Sequence, residues 1–325
     1  MKKYNWAILG CGKIARKFCI ELQTLPNANL YATASRSLEK ASEFSNEFGF
    51  DKSYGSYIEM VQDSKVDIAY IATPHSFHLE HTLLCLKHKK AVLCEKAFAI
   101  NTKEVTKMIA SSKENNTFLM EAFWVLFRPK FKKVEALIAT ENLGKLKFVK
   151  SDFMFSGAYN PKSRLYNVDL GGGSLLDIGI YPVFTALQLL GEPNEIKTFA
   201  HFSPTGSEES ISILFGYKDG ATAVLTSSFD AEFKNETELC FEKGIIKYDR
   251  FSSEPITLIK QNEKKLIDFK AGPHMGYHFE ASHVMECLDE NLIESPVLPL
   301  SFSLKLINTL DTIRKDADIF YPNHD

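Results

Sequence analysis

Short apolar runs alternate with longer amphipathic stretches through the first 120 residues, and this alternation restricts the possible folds more than any other feature. WAIL at residues 6–9 is stopped by Gly10. Residues 13–24 then carry Ile14, Phe18 and Leu22 at helical spacing. Pro26-Asn27 marks a turn, residues 30–34 read as a second strand, and Ser37 is placed to cap a helix reaching about Phe48. DIAYIAT at residues 67–73 is a third strand, broken by Pro74. Residues 78–88 look helical, residues 91–94 form a fourth strand, and Asn101-Thr-Lys-Glu104 has the capping-box pattern that opens another helix. Residues 118–122 are a fifth strand. Strands separated by helices of roughly 10–15 residues predict βαβ units and a parallel sheet.

From Lys145 the pattern becomes mostly strand-like: KLKFVKSDFMF, ISILFGY, ATAVLTSSF, ELCFEKGIIKYD, ITLIK and KKLIDF. Several alternate apolar with polar residues, as an antiparallel sheet with one solvated face does. A long apolar, helix-like segment at residues 174–190 interrupts them, and helical stretches at 276–290 and 303–316 close the chain. The predicted class is α/β. An N-terminal doubly wound domain spans residues 1–122, and an α+β domain with an open, mostly antiparallel sheet spans 123–325.

The 325 residues include 38 Lys plus Arg against 41 Asp plus Glu, a net charge of −3. Without cationic excess there is little to hold a phosphate backbone, so nucleic acid is not an expected partner. No run of 18 apolar residues argues for a membrane span. The opening MKKYNWAILGCG lacks the features of a secretory signal, since glycines cut its apolar run short. The six cysteines (Cys11, Cys19, Cys85, Cys94, Cys240, Cys287) form no CxxC pair and read as reduced thiols of a cytoplasmic protein.

Gly10-Cys11-Gly12-Lys13-Ile14-Ala15 is GxGxxA between a predicted strand and a predicted helix. Gly10 permits the tight turn, Gly12 the approach of a pyrophosphate, and Ala15 close helix–strand packing, while the helix N-terminus offers free N–H donors. The motif points to a dinucleotide. An NAD-preferring site would place an acid at the end of the second strand, but the sequence there is Ala34-Ser35-Arg36-Ser37, with no acid before Glu39. Arg36 suits a 2′-phosphate, so the expected cofactor is NADP, with NAD less favoured. The competing assignment for Arg36 is a solvated surface residue.

The fourth strand ends Glu95-Lys96-Ala97, at the strand end where open α/β sheets bind ligands. A lysine there is expected to be partly desolvated and useful in proton transfer, the alternative being a surface ion pair. Gly171-Gly-Gly-Ser-Leu-Leu-Asp177-Ile-Gly-Ile-Tyr181-Pro182 puts a carboxylate and a phenol four apart in an otherwise apolar segment. Either they satisfy one another and a neighbour, or they line a polar pocket. His75, His78 and His81 are spaced by three, but no carboxylate or thiol completes a metal site, and none is expected. His75 is read as facing the cofactor cleft, with His78 and His81 equally compatible with plain helix positions.

Taken together, GCGKIA, ASRS, LCEKA, MEAFW and GGGSLLDIGIY resemble, in order and spacing, the Gfo/Idh/MocA (glucose–fructose oxidoreductase / inositol dehydrogenase) family over essentially the whole chain. VLCEK, LMEAFW, LLDIGIY and HVMECL…ESPVLPL resemble in particular its dimeric dihydrodiol dehydrogenase / NADP-dependent xylose dehydrogenase branch. The resemblance implies a Rossmann domain followed by an α/β domain, and hydride transfer between NADP and a CH–OH group of a small diol, sugar or polyol. It implies Lys96, Tyr181 and Asp177 as catalytic residues. Gly10, Cys11, Gly12, Lys13, Ile14, Ser35, Arg36, Thr73, His75, His78, Glu95 and Lys96 are the expected cofactor contacts, and Trp124, Phe153 and Arg164 the expected substrate pocket. Judged alone, Trp124 and Phe153 are as compatible with core as with pocket. Ala97 departs from the family's usual proline. A homodimer or homotetramer through the second sheet is the expected assembly. Alternatives are a sugar or inositol-type dehydrogenase without dihydrodiol activity, and a catalytically silent NADP-binding regulator, from which intact Lys96, Asp177 and Tyr181 argue away.

Overall fold

The computed structural model describes residues 2–232 and 235–325. Among these the chain forms two compact units: one runs to Trp124 and includes Gly276–Ile307, and the other comprises Val125–Met275 with Asn308–Asp325.

The first unit holds a six-stranded sheet in the order β3-β2-β1-β4-β5-β6, every pairing parallel. The strands are β1 (Tyr4–Leu9), β2 (Ala28–Ala34), β3 (Lys52–Tyr54), β4 (Ile68–Ile71), β5 (Ala91–Glu95) and β6 (Leu119–Ala122). Between them run α1 (Lys13–Leu22), α2 (Leu38–Phe48), α3 (Tyr57–Gln62), α4 (His78–Lys87) and α5 (Thr102–Asn115). Every residue of β4, β5 and β6 is buried, which explains why they are apolar but for Glu95 and Glu121. Strand order reverses between β1 and β4, the switch point beside which such sheets bind ligands.

Capping follows the sequence closely. Ser37 Oγ accepts from Lys40 N at 3.4 Å, and Asn101 Oδ1 accepts from Glu104 N at 2.9 Å. The Glu104 carboxylate then takes the Ile100 N–H at 3.1 Å, one residue before the cap. Helix α8 (Tyr277–Asp289), late in the chain, belongs to this first unit and packs on α1. Its N-terminal N–H groups are satisfied by buried Glu21, which accepts from Gly276 N at 2.9 Å and His278 N at 3.2 Å.

The second unit is built on an eight-stranded sheet, β14-β13-β12-β11-β7-β10-β9-β8. In chain order its strands are β7 (Leu146–Met154), β8 (Glu195–Phe202), β9 (Glu208–Gly216), β10 (Thr222–Ser228), β11 (Glu236–Phe241), β12 (Gly244–Asp249), β13 (Ile256–Lys260) and β14 (Glu263–Ile267). All pairings are antiparallel except β10 with β7. Register places Phe215, Ala223, Val149, Leu239, Ile246 and Leu258 in one buried row. The next row, on the opposite face, carries Leu214, Val224, Lys150, Glu238, Lys247 and Leu266, of which Leu214 and Leu266 are exposed. Helices α6 (Pro129–Thr140), α7 (Ile180–Leu190) and α9 (Leu300–Asp316) complete the fold.

Five details differ from the sequence reading. β3 with α3, α6, and β8 have no counterpart in it, and ELCFEKGIIKYD is a hairpin, β11 to β12, turning at Glu242-Lys243 rather than one run. The apolar segment 174–190 is a π-helical turn, Leu175–Gly179, leading into α7. Although residues Val168–Leu190 have the length and hydropathy of a membrane span, 83% of the qualifying window is buried within the fold, as in a core helix.

Candidate active site

The glycine loop sits at the switch point of the first unit. Gly10 has φ +94°, and a Cβ there would come within 3.1 Å of the Ala72 carbonyl oxygen and 3.2 Å of Thr73 Cγ2, from the loop after β4. Only glycine fits that turn. At Gly12 a Cβ would meet nothing within 4 Å, so the backbone faces open space. Gly12 is also the N-cap of α1, and no side chain caps the helix. Uncapped N–H donors beside an open approach fit a pyrophosphate. Ala15 is buried, as close helix–strand packing requires. Lys13 is exposed and Ile14 half-buried, while Cys11 Sγ meets Thr33 Oγ1 at 3.5 Å.

Arg36, at the end of β2, is exposed, and among the described residues it forms no ion pair or hydrogen bond. Its guanidinium lies 5.7 Å from the Phe77 ring. Phe77 stacks at 5.8 Å on His81, and His81 meets Tyr57 edge-on at 4.5 Å. Burial, with the nearby His78 and Arg36 charges, pulls the His81 pKa down to about 4, so the ring is neutral. Ser35 Oγ accepts from Ser37 N at 3.4 Å, tightening the turn that presents Arg36.

The three histidines serve the loops around β4 and β5. The His78 ring is fully buried and bridges two backbone carbonyls, Nδ1 to Ala97 O at 2.9 Å and Nε2 to Thr73 O at 2.8 Å. Burial holds its pKa below the ordinary value. His75 Nε2 lies 3.2 Å from the Lys96 carbonyl oxygen, and His81 Nδ1 3.0 Å from Thr73 Oγ1. These contacts use ring nitrogens that a metal would need, and among the described residues no group of three or more His, Cys, Asp or Glu is arranged to hold one.

Lys96 is half-buried at the end of β5, in electrostatic reach of Glu121 at the end of β6. Burial raises the Glu121 pKa to about 7. Glu95 is buried and accepts a short hydrogen bond from the Tyr70 hydroxyl. Glu280 of α8 is fully buried, neither of its oxygens has a partner among the described residues, and burial beside Glu95 and Glu21 pushes its pKa well up. Trp124 is buried in the same unit against Tyr277, with rings 4.8 Å apart. Nothing in the linear sequence marked Tyr70, Glu121 or Glu280 as neighbours of this strand end, because three separate elements supply them.

The second unit collects four of the expected residues. Asp177 is buried in the π-helical turn, and Arg164 binds its carboxylate by two hydrogen bonds, 2.8 and 3.4 Å. Tyr181, buried in the first turn of α7, has Phe153 at 5.5 Å and Phe251 at 5.7 Å between ring centroids. Phe251, which the sequence reading did not single out, also packs on Phe153 at 4.7 Å. π-helical turns recur at functional sites. This one sets a carboxylate and a phenol one turn apart on a rigid, buried helix. These four residues lie in the second unit, Arg164 paired with Asp177 and Phe153 packed on Tyr181, while the glycine loop, Arg36 and Lys96 lie at the strand ends of the first.

The Gfo/Idh/MocA profile, described as an oxidoreductase family with an NAD-binding Rossmann fold, matches residues 4–123, and the GFO/IDH/MocA C-terminal domain matches residues 131–247. A trans-1,2-dihydrobenzene-1,2-diol dehydrogenase of Xenopus laevis is 35% identical over 331 residues, covering 98% of this chain and 99% of that protein. An aldose-aldose oxidoreductase of Caulobacter crescentus, solved with glycerol, superposes with TM-score 0.89 at 25% identity, covering 98% of each chain. KijD10, a 3-ketoreductase of Actinomadura kijaniata solved with NADP, shares the fold at TM-score 0.87 and 24% identity, covering 97% of this chain and 98% of that one.

Proposed function

The chain belongs to the Gfo/Idh/MocA oxidoreductase family, and from that premise we propose that it is an NADP-dependent dehydrogenase acting on a CH–OH group of a small polyhydroxy substrate, a trans-dihydrodiol or an aldose. The observation that carries this reading is the pairing of an open, uncapped helix N-terminus at Gly12 with an exposed Arg36 after β2 that forms no ion pair or hydrogen bond among the described residues. The first suits a pyrophosphate and the second a 2′-phosphate. Gly10, Cys11, Lys13 and Ile14 complete the loop, and Ser35, Thr73, His75, His78 and Glu95 order the strand ends around it.

When bound, the nicotinamide supplies the acceptor or donor of hydride. The chain's own residues then handle the proton and the orientation. Tyr181 takes the substrate hydroxyl proton in oxidation and returns it in reduction. Lys96, directly after β5, supplies a positive charge for the substrate oxygen. Asp177, its charge matched by Arg164, orients the substrate's further hydroxyls. Trp124 and Phe153 provide apolar surface for the carbon skeleton, while the aromatic wall around Tyr181 excludes water from the phenol.

The dihydrodiol arm draws support from the relatives at 34–35% identity. The aldose arm draws it from the Arg164–Asp177 pair, which can bind several hydroxyls, and from the aldose-aldose oxidoreductase likeness. Initial rates on trans-dihydrodiols, aldopentoses and inositols, each with NADP and with NAD, test the reading. It expects turnover of a dihydrodiol or an aldose with NADP favoured at least tenfold in kcat/KM. A clear NAD preference would overturn the cofactor assignment, and NADP binding without turnover of any polyol would make the chain a binding protein instead.

The exposed sheet row with Leu214 and Leu266, together with Phe199 at 82% exposure on the edge strand β8, supports association of second units into a homodimer or homotetramer. The six free thiols support a reducing, cytoplasmic setting.

A further inference from the structure

Arg250 follows β12 directly and is buried, with 5% of its surface exposed. Its Nη2 donates to Ser151 Oγ at 2.6 Å and Thr237 Oγ1 at 3.1 Å, and its Nη1 donates to the Asp152 carbonyl at 3.5 Å. All three acceptors are neutral. Among the described residues the guanidinium forms no ion pair. The nearby carboxylates are engaged elsewhere: Asp152 with Lys150 at 3.4 Å, and Asp249 with the N–H groups of Phe251 at 2.7 Å and Ser252 at 2.9 Å. A buried charge without a counter-ion is expensive to keep, and the protein keeps this one firmly placed. Arg128 donates to the Arg250 carbonyl. Buried Lys130 donates to the carbonyls of Asp249 at 2.7 Å and Ser252 at 2.8 Å.

The guanidinium so fixed lies over aromatic surface, its carbon 6.0 Å from the Tyr181 ring centroid and 5.7 Å from that of Phe251. We propose that Arg250 is a positioning residue for Tyr181, a permanent positive charge over the phenol ring that favours the phenolate. The inference rests on Tyr181 being the acid–base group. In oxidation the substrate O–H bond breaks, its proton passes to the Tyr181 oxygen, and the C–H electron pair leaves as hydride for the oxidised nicotinamide. A phenolate spreads its charge into the ring, so a cation over the ring face stabilises it relative to the phenol, and more strongly where water is absent. Of the other charged or titratable groups around the pair, the Asp249 carboxylate, held by the N–H groups of Phe251 and Ser252, lies in electrostatic reach of Arg250. Asp177, one turn before Tyr181, is paired with Arg164. Asp152 and Lys150 on β7 pair with each other, and Tyr248 on β12 is a buried phenol.

Arg250 also ties β7 to β11 through Ser151 and Thr237, so the test separates charge from scaffolding. The pH dependence of kcat/KM for alcohol oxidation is measured for the wild type, Arg250→Gln and Arg250→Lys, with thermal melts as a control. The proposal expects the acidic-limb midpoint to rise by about one unit or more in Arg250→Gln and to stay close to wild type in Arg250→Lys. A pH-independent loss of activity in both variants, with the midpoint unmoved, overturns it. Should Arg250→Gln not fold, the ultraviolet phenolate difference spectrum of the wild type against Tyr181→Phe decides, since it isolates the Tyr181 phenol. Phenolate forming clearly below the ordinary tyrosine value of about 10 supports the proposal, and titration at or above it refutes it. Full activity in Tyr181→Phe would remove the acid–base reading itself. An inactive Tyr181→Phe beside an unmoved Arg250→Gln midpoint removes only the role of Arg250.

Discussion

Arg164 and Asp177 form a forked ion pair, Nη1 to Oδ1 at 2.8 Å and Nη2 to Oδ2 at 3.4 Å, with the carboxylate buried and the guanidinium half in solvent. Removing the arginine strands a buried charge, whereas removing both charges does not. Arg164→Met is expected to cost about 1–2 kcal/mol, discounted for the exposed partner. That lowers Tm by ~2–8 °C. Adding Asp177→Asn should recover most of the loss. A double-mutant cycle by thermal denaturation checks this, and additive losses would mean that the pair is not coupled.

The two loop glycines should fail differently. Gly10→Ala forces φ +94° on a residue with a side chain and drives its Cβ to 3.1 Å from Ala72 O, so the apo protein itself loses about 1–3 kcal/mol. A Cβ at Gly12 meets no protein atom within 4 Å, so in Gly12→Ala apo stability holds while NADP affinity falls at least about tenfold, or ~1.4 kcal/mol. Melting curves alongside calorimetric NADP titration distinguish the two.

Arg36→Ala should raise KM for NADP by roughly ten- to a hundredfold, the ~1.5–3 kcal/mol of a charge-assisted contact, and leave KM for NAD within about twofold. Steady-state kinetics with both cofactors measures the ratio. Equal effects on the two would return Arg36 to the status of a surface residue.

Much of the fold was legible because it rests on periodicity. The buried strands β4, β5 and β6 read as mostly apolar runs, interrupted by Glu95 and Glu121, and Asn101 with Glu104 announced α5. Elements without such a signal escaped notice. β3 is three residues, Lys-Ser-Tyr, an edge strand paired with β2. β8 is an edge strand whose alternate residues face solvent, and α6 hides Phe131, Val134 and Leu137 among lysines. The π-helical turn at Leu175–Gly179 differs from an α-helix by a single-residue shift in hydrogen bonding, which no side-chain pattern records. At the candidate site, Tyr181 and Asp177 stood out as polar groups in an apolar segment. No sequence pattern sets Arg250 or Glu280 apart, and the fold buries both.

Two buried carboxyls should give stability an unusual pH slope. Burial raises both Glu121 and Glu208 to about 7, above the unfolded value near 4.5. Between those values the folded state keeps protons that the unfolded state releases, so their contribution to stability is full below about pH 4.5 and is lost as pH rises toward 7. Glu121→Gln and Glu208→Gln should each flatten the decline of Tm between pH 5 and 7.5. Melts across that range measure it, and an unchanged slope in both would show that neither carboxyl is protonated in the fold.

The claim at the centre of this account is that Tyr181 moves the proton while the first unit holds the cofactor independently. The direct measurement is kcat for Tyr181→Phe beside its Kd for NADP. A fall in kcat of about a hundredfold or more, the scale of general acid–base catalysis, with Kd within about threefold of wild type is the expected result. Turnover close to wild type, or a collapse of NADP binding that accounts for the whole loss, would contradict it.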